Sequence, residues 1–178
     1  MKLRYSVLII IGWIVSVSPL HAQSIQEVRK SFHQAVMDPE ESRTFHQFLD
    51  QTTLNSSTLK AYKAVSEALM ARVVWSPFSK LSQVMKYDNL MEMAIEEDQS
   101  NIEIRFLRFA IEYNLPRFLG MSQHLIEDRD VIVENMTAVN SMDLDPSFSR
   151  YILYFLNDTG LCSQEQISQM REKLADKS

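Results

Sequence analysis

The chain has 178 residues, 46% of them hydrophobic, and sets 18 Lys and Arg against 23 Asp and Glu for a net charge of −5. That length corresponds to one domain. The acidic balance argues against nucleic acid or an anionic membrane as partner, because both call for clustered basic side chains. Cys162 is the single cysteine, so no intramolecular disulfide forms, and it is expected to serve as a small buried hydrophobe.

The N-terminus has the three parts of a secretory signal peptide. Lys2 and Arg4 form a positive region, Val7–Val17 ("VLIIIGWIVSV") is apolar, and Pro19 precedes "LHAQ" with Ala22 at the expected cleavage point. The apolar run is short for a stable span, which takes roughly 20 residues. The expectation is a signal peptide over 1–22, a single domain over 23–178, and export to the periplasm or beyond. An uncleaved anchor is the alternative. No further long apolar run follows, so no membrane insertion is expected after cleavage.

The rest reads as helices. Beyond Gly12 there are only Gly120 and Gly160, and no stretch alternates apolar and polar residues for long. Start signals recur along the chain. Asp38-Pro39-Glu40-Glu41, Ser76-Pro77 and Asp145-Pro146 each offer a cap followed by proline. Ser100–Glu103 and Ser163–Gln166 read as capping boxes. The predicted helices cover 24–36, 39–51, 57–74, 77–97, 101–113, 122–138, 146–158 and 164–175. Their apolar stripes include Leu59, Tyr62, Val65, Leu69 and Val73, then Leu81, Val84, Met85, Met91, Ala94 and Ile95, then Ile102, Phe106, Phe109, Ala110 and Tyr113. Connections are short, so neighbouring helices should pack as antiparallel hairpins.

"YDNLMEMAIEEDQSN" (Tyr87–Asn101) resembles the second helix and exit turn of a tetratricopeptide repeat. Met91, Ala94 and Asp98-Gln99 occupy the bulky, small and turn places, with Gln99 where proline is usual. One repeat of about 34 residues earlier, Trp75 and Phe78 stand where that family has glycine and tyrosine. The chain is also similar to a group of small exported proteins of the Bacteroidota. That likeness rests on the Ala-Gln end of the signal peptide, Ser76–Leu81, "AIEEDQSNIEIRFLRF" and "NLPRFLG". It implies a shared all-α fold and export to the periplasm of a Gram-negative cell, and it implies no activity.

Candidate chemistry is sparse. His33, His46 and His124 remain after processing, and His124 lies one helical turn before Glu127 and Asp128. A metal site would need a third ligand at a fixed place. No HExxH, CxxC, G-x-S-x-G or glycine-rich phosphate loop occurs. Glu96-Glu97-Asp98 reads as a solvated acidic turn. Met85, Met91, Met93, Met121, Met136 and Met142 read as core fillers that could also line a groove.

The arginines carry more. Arg105 and Arg108 sit three apart on a strongly apolar helix, and Arg117 follows its turn. They could bridge helices by pairing with Glu96, Glu97, Asp98 or Glu112, or grip a carboxylate with two parallel bonds.

The expectation is therefore an all-α protein of about eight stacked helices with tetratricopeptide-like hairpins. Its expected role is a non-catalytic interaction module for a protein or peptide, with Arg105, Arg108 and Arg117 as candidate binding residues and no cofactor. The alternative is a small helical envelope enzyme or metal binder using His33, His46 or His124 with Glu127 or Asp128.

Overall fold

The computed structural model describes residues 20–138 and 144–176. Up to Pro19 the expected signal peptide lies outside the described residues, as does Met142. The expected cleavage point after Ala22 falls within the first helix.

Eight α-helices and one 3-10 turn form the described residues, without a strand. They are α1 (Leu20–Met37), α2 (Glu41–Asp50), α3 (Ser57–Met70), α4 (Pro77–Glu97), α5 (Ile102–Asn114), α6 (Leu125–Thr137), α7 (Pro146–Thr159) and α8 (Gln164–Ala175). The 3-10 turn is Arg117–Leu119. The all-α expectation holds, and three helix starts signalled by local chemistry fall where they were read. Ser76 accepts the Ser79 N–H, Asp145 accepts those of Ser147 and Phe148, and Ser163 with Gln166 closes a reciprocal capping box. Gly160 ends α7 at φ 68°, a left-handed conformation that L side chains rarely adopt.

Three local expectations are corrected. The cap of α5 is Asn101, whose side chain accepts from the Glu103 and Ile104 N–H groups. Ser100 forms no box, because Glu103 turns away to α1 and α3. Asp38 caps Glu40 N at 2.9 Å in the turn and α2 begins at Glu41, so Pro39 is not its first helical residue. Helix α3 stops at Met70, where Arg72 and Val73 bond back three residues to Leu69 and Met70. Val73 therefore belongs to the turn.

Two apolar cores share α5. The first joins α1–α4 around Phe32, Phe45, Tyr62, Tyr87 and Met91, and takes Ile104 and Leu107 from α5. The second joins α6–α8 around Ile132, Ile152, Leu156 and Met170, and takes Ile102, Phe106 and Phe109. Phe106 meets Phe148, Tyr151 and Phe155 edge-on, with centroids 5.7, 5.6 and 5.4 Å away. Cys162 packs against this second core, and burial raises its thiol pKa. Helix α5 is thus apolar on two sides and buried from Ile102 to Phe109. Such a helix is the centre of a fold rather than its surface.

Helix α4 departs from its predicted stripe. Val84, Met91, Ala94 and Ile95 are buried, but Leu81 and Met85 are exposed. The reason is length: α4 has 21 residues against 14 in α3, so its first turns run past the helix they would pack on. Met91 and Met136 are core residues, whereas Met93 joins Met85 at the surface.

Candidate functional site at the end of helix α5

Four charged residues of α5 are buried: Glu103, Arg105, Arg108 and Glu112. A buried charge is tolerated only when it is paired and hydrogen-bonded, and each of the four has a partner. Glu103 receives Arg29 through Nε and Nη2 at 2.8 and 2.6 Å, and the Tyr62 hydroxyl at 2.7 Å. Burial pushes the Tyr62 phenol far above its ordinary range. Arg29 also covers Phe148, 5.4 Å from the ring centroid, and so ties α1 to α7 across the end of α5.

Arg108 grips Asp128 with two parallel bonds, Nε–Oδ2 at 2.8 Å and Nη2–Oδ1 at 2.7 Å, and reaches Glu92 at 2.8 Å. Arg105 donates to the Gln99 carbonyl at 2.7 Å, to Glu127 at 2.6 Å and to Asp128 at 3.0 Å. Asp128 is fully buried. The Arg105 bond holds the Glu127 carboxyl below its ordinary value. Arg105 and Arg108 thus bridge helices, but through Glu92, Glu127 and Asp128 rather than the acids expected from sequence. Glu97 pairs with Lys60, Asp98 accepts from Asn101, and Glu112 turns to His124.

The trio is not one site. Arg117 stands apart in the 3-10 turn, exposed and without a side-chain partner among the described residues. It lines an open cleft of about 610 Å³ between the α5–α6 connection and the α7–α8 turn. Leu115, Leu125 and Leu161 supply apolar wall, Gln123 and Tyr113 supply polar groups, and buried Glu112 also lines it. This volume is within the usual range for small-ligand clefts, about 300–1,000 Å³. Gly120, at φ 68°, lets the chain turn sharply at the rim. The Ser122 hydroxyl donates to the Glu112 carbonyl at 3.0 Å and fixes the connection to the end of α5.

His124 Nδ1 lies 2.7 Å from Glu112 Oε1, and its backbone N–H donates to Oε2 at 3.0 Å. Burial nevertheless raises the Glu112 carboxyl above its ordinary 4.5, against these opposing bonds. An acid raised on folding contributes stability that is full below its unfolded pKa and is lost as pH rises through the folded value. Glu112→Gln removes that titration. Denaturant unfolding should therefore show the variant gaining on the wild-type chain as pH rises above about 4. A difference that is flat with pH would contradict this.

The histidines do not converge. His33 is exposed and edge-on to Tyr151, with centroids 6.4 Å apart. His46 lies between Asp50 and Glu67, at 3.2 and 2.9 Å, beside Lys63. Glu127 and Asp128, expected beside His124, are held by the arginines. Among the described residues no group of three or more His, Cys, Asp or Glu side chains is placed to hold a metal ion.

Fold and site together define an all-α protein of packed helical hairpins with a cleft beside its central helix. No family model, curated protein or solved structure matches the chain.

Proposed function

We propose that this chain is a non-catalytic interaction module that holds a protein or peptide partner in the cleft at the end of α5. Its helical hairpins, tetratricopeptide-like in the Tyr87–Asn101 segment, are the scaffold. The likeness to small exported proteins of the Bacteroidota supports work in the periplasm or outside the cell. One observation carries the reading: Arg117 presents an unpaired guanidinium on a partly apolar cleft, while Arg105 and Arg108 are consumed within the fold. An exposed arginine beside leucines suits a carboxylate attached to an apolar side chain.

The test compares wild-type chain and Arg117→Glu as baits in an envelope extract. The wild type should retain a partner that the variant loses, with circular dichroism and unfolding midpoint unchanged. Capture of the same proteins by both would overturn the assignment of this cleft.

A further inference from the structure

From Ala68 to Tyr87 the chain holds Arg72, Lys80 and Lys86 and no acid, in a protein of net charge −5. The segment covers the end of α3, the turn and the first half of α4. In the register of the two helices Lys60 pairs with Glu97 at one end and Lys86 Nζ lies 3.9 Å from Glu67 at the other. Helix α3 stops at Met70, and the first buried residue of α4 is Val84. At 1.5 Å per residue, Pro77–Gln83 reaches about 10 Å past the end of α3. Every residue from Trp75 to Ser82 is exposed.

This projection carries large apolar side chains: Trp75 is 97% exposed, Phe78 86%, Met85 57% and Leu81 48%. Phe78, Leu81 and Met85 share one helical face at spacings of three and four. Contiguous exposed apolar surface of this kind marks a contact site. The shape is a wedge, not a groove. Two copies meeting through it would set Lys80 and Lys86 against their own kind, with no acid in the segment to separate them. Tryptophan and phenylalanine flanked by cations suit a lipid headgroup layer, where aromatic rings bed at the interface and cations meet phosphate.

We propose that the Trp75–Met85 wedge docks on an anionic lipid surface, with Lys80, the cation of its projecting turns, facing the phosphates. This contact is peripheral, since no helix among the described residues is long and apolar enough to cross a membrane. It departs from the expectation drawn from net charge, because a surface feels nearby charges most. Arg72 donates to the Val36 carbonyl at 3.1 Å, so the acidic turn with Asp38, Glu40 and Glu41 lies at the base of the wedge. The tip projects about one screening length, 8–10 Å at physiological salt, beyond that base.

The chain has two tryptophans, Trp13 and Trp75. In the full chain carrying Trp13→Phe, fluorescence reads Trp75 alone. With vesicles of equal parts phosphatidylcholine and phosphatidylglycerol, Trp75 emission should shift to the blue and be quenched by brominated acyl chains. Lys80→Gln should weaken binding about fivefold. Phe78→Ser should remove the quenching with circular dichroism unchanged. Quenching reports the depth of Trp75 itself, so attachment through another part of the chain does not imitate it. The proposal is overturned if Trp75 is blind to the vesicles, or if quenching survives Phe78→Ser. A Trp75 shift produced by soluble envelope extract and not by vesicles would assign the wedge to a protein groove, and would overturn the proposal equally.

Discussion

Arg108→Ala should destabilise the fold by about 3–5 kcal/mol, the usual cost of removing one partner from a buried ion pair. The variant strands Asp128, which is fully buried and otherwise has only Arg105 at 3.0 Å. Glu92 loses its bond as well. The large value reflects the penalty of an uncompensated charge rather than the net worth of the pair, so a second variant separates the two. Arg108→Met with Asp128→Leu removes both charges and should recover much of the loss. Arg117→Ala, at an exposed and unpaired position, should stay within about 0.5 kcal/mol of wild type. Urea unfolding of the three proteins checks this. A loss below about 1 kcal/mol for Arg108→Ala would remove the arginine from its structural role and return it to the candidates for ligand binding.

Phe106→Ala should cost a comparable amount, about 3–5 kcal/mol, and should do so unevenly. Phe106 is fully buried and touches three rings of α7 edge-on. Truncation opens a cavity in the second core and leaves the first core, built on Ile104 and Leu107 from the other sides of α5, in place. Hydrogen exchange should show the largest loss of protection in α7 and α8, and a smaller one in α2 and α3. Equal loss in all four helices would mean that α5 couples the cores into one cooperative unit.

Helix identity was legible because its causes are local. Serine or aspartate before proline, the Ser163–Gln166 box and the apolar period act within four residues, so α4, α7 and α8 start where their caps stand. The same locality explains the errors at the ends. Asn101 and Ser100 are both able to cap, and what decides between them is Glu103, drawn to Arg29 74 residues away.

The candidate site was legible only in part. That Arg105 and Arg108 would bridge helices could be read from an apolar helix bearing two guanidinium groups. Their partners could not be read, because the acids near in sequence, Glu96, Glu97, Asp98 and Glu112, competed with Asp128, 20 residues beyond Arg108. Nothing in the sequence separated Arg117 from the other two, since exposure depends on which elements come to lie around a turn.

By itself, then, the sequence determined the all-α class, the starts of α4, α7 and α8, and an apolar α5 with charges that had to be paired. Those follow from short-range hydrogen bonding and from periodicity. Tertiary structure alone decided which acid meets which arginine, that Arg117 is left over beside a cleft, and that Trp75 and Phe78 stand in water. Each of these turns on the relative lengths and positions of elements far apart in the chain: α4 outruns α3, and a side chain has a partner only where another helix reaches it.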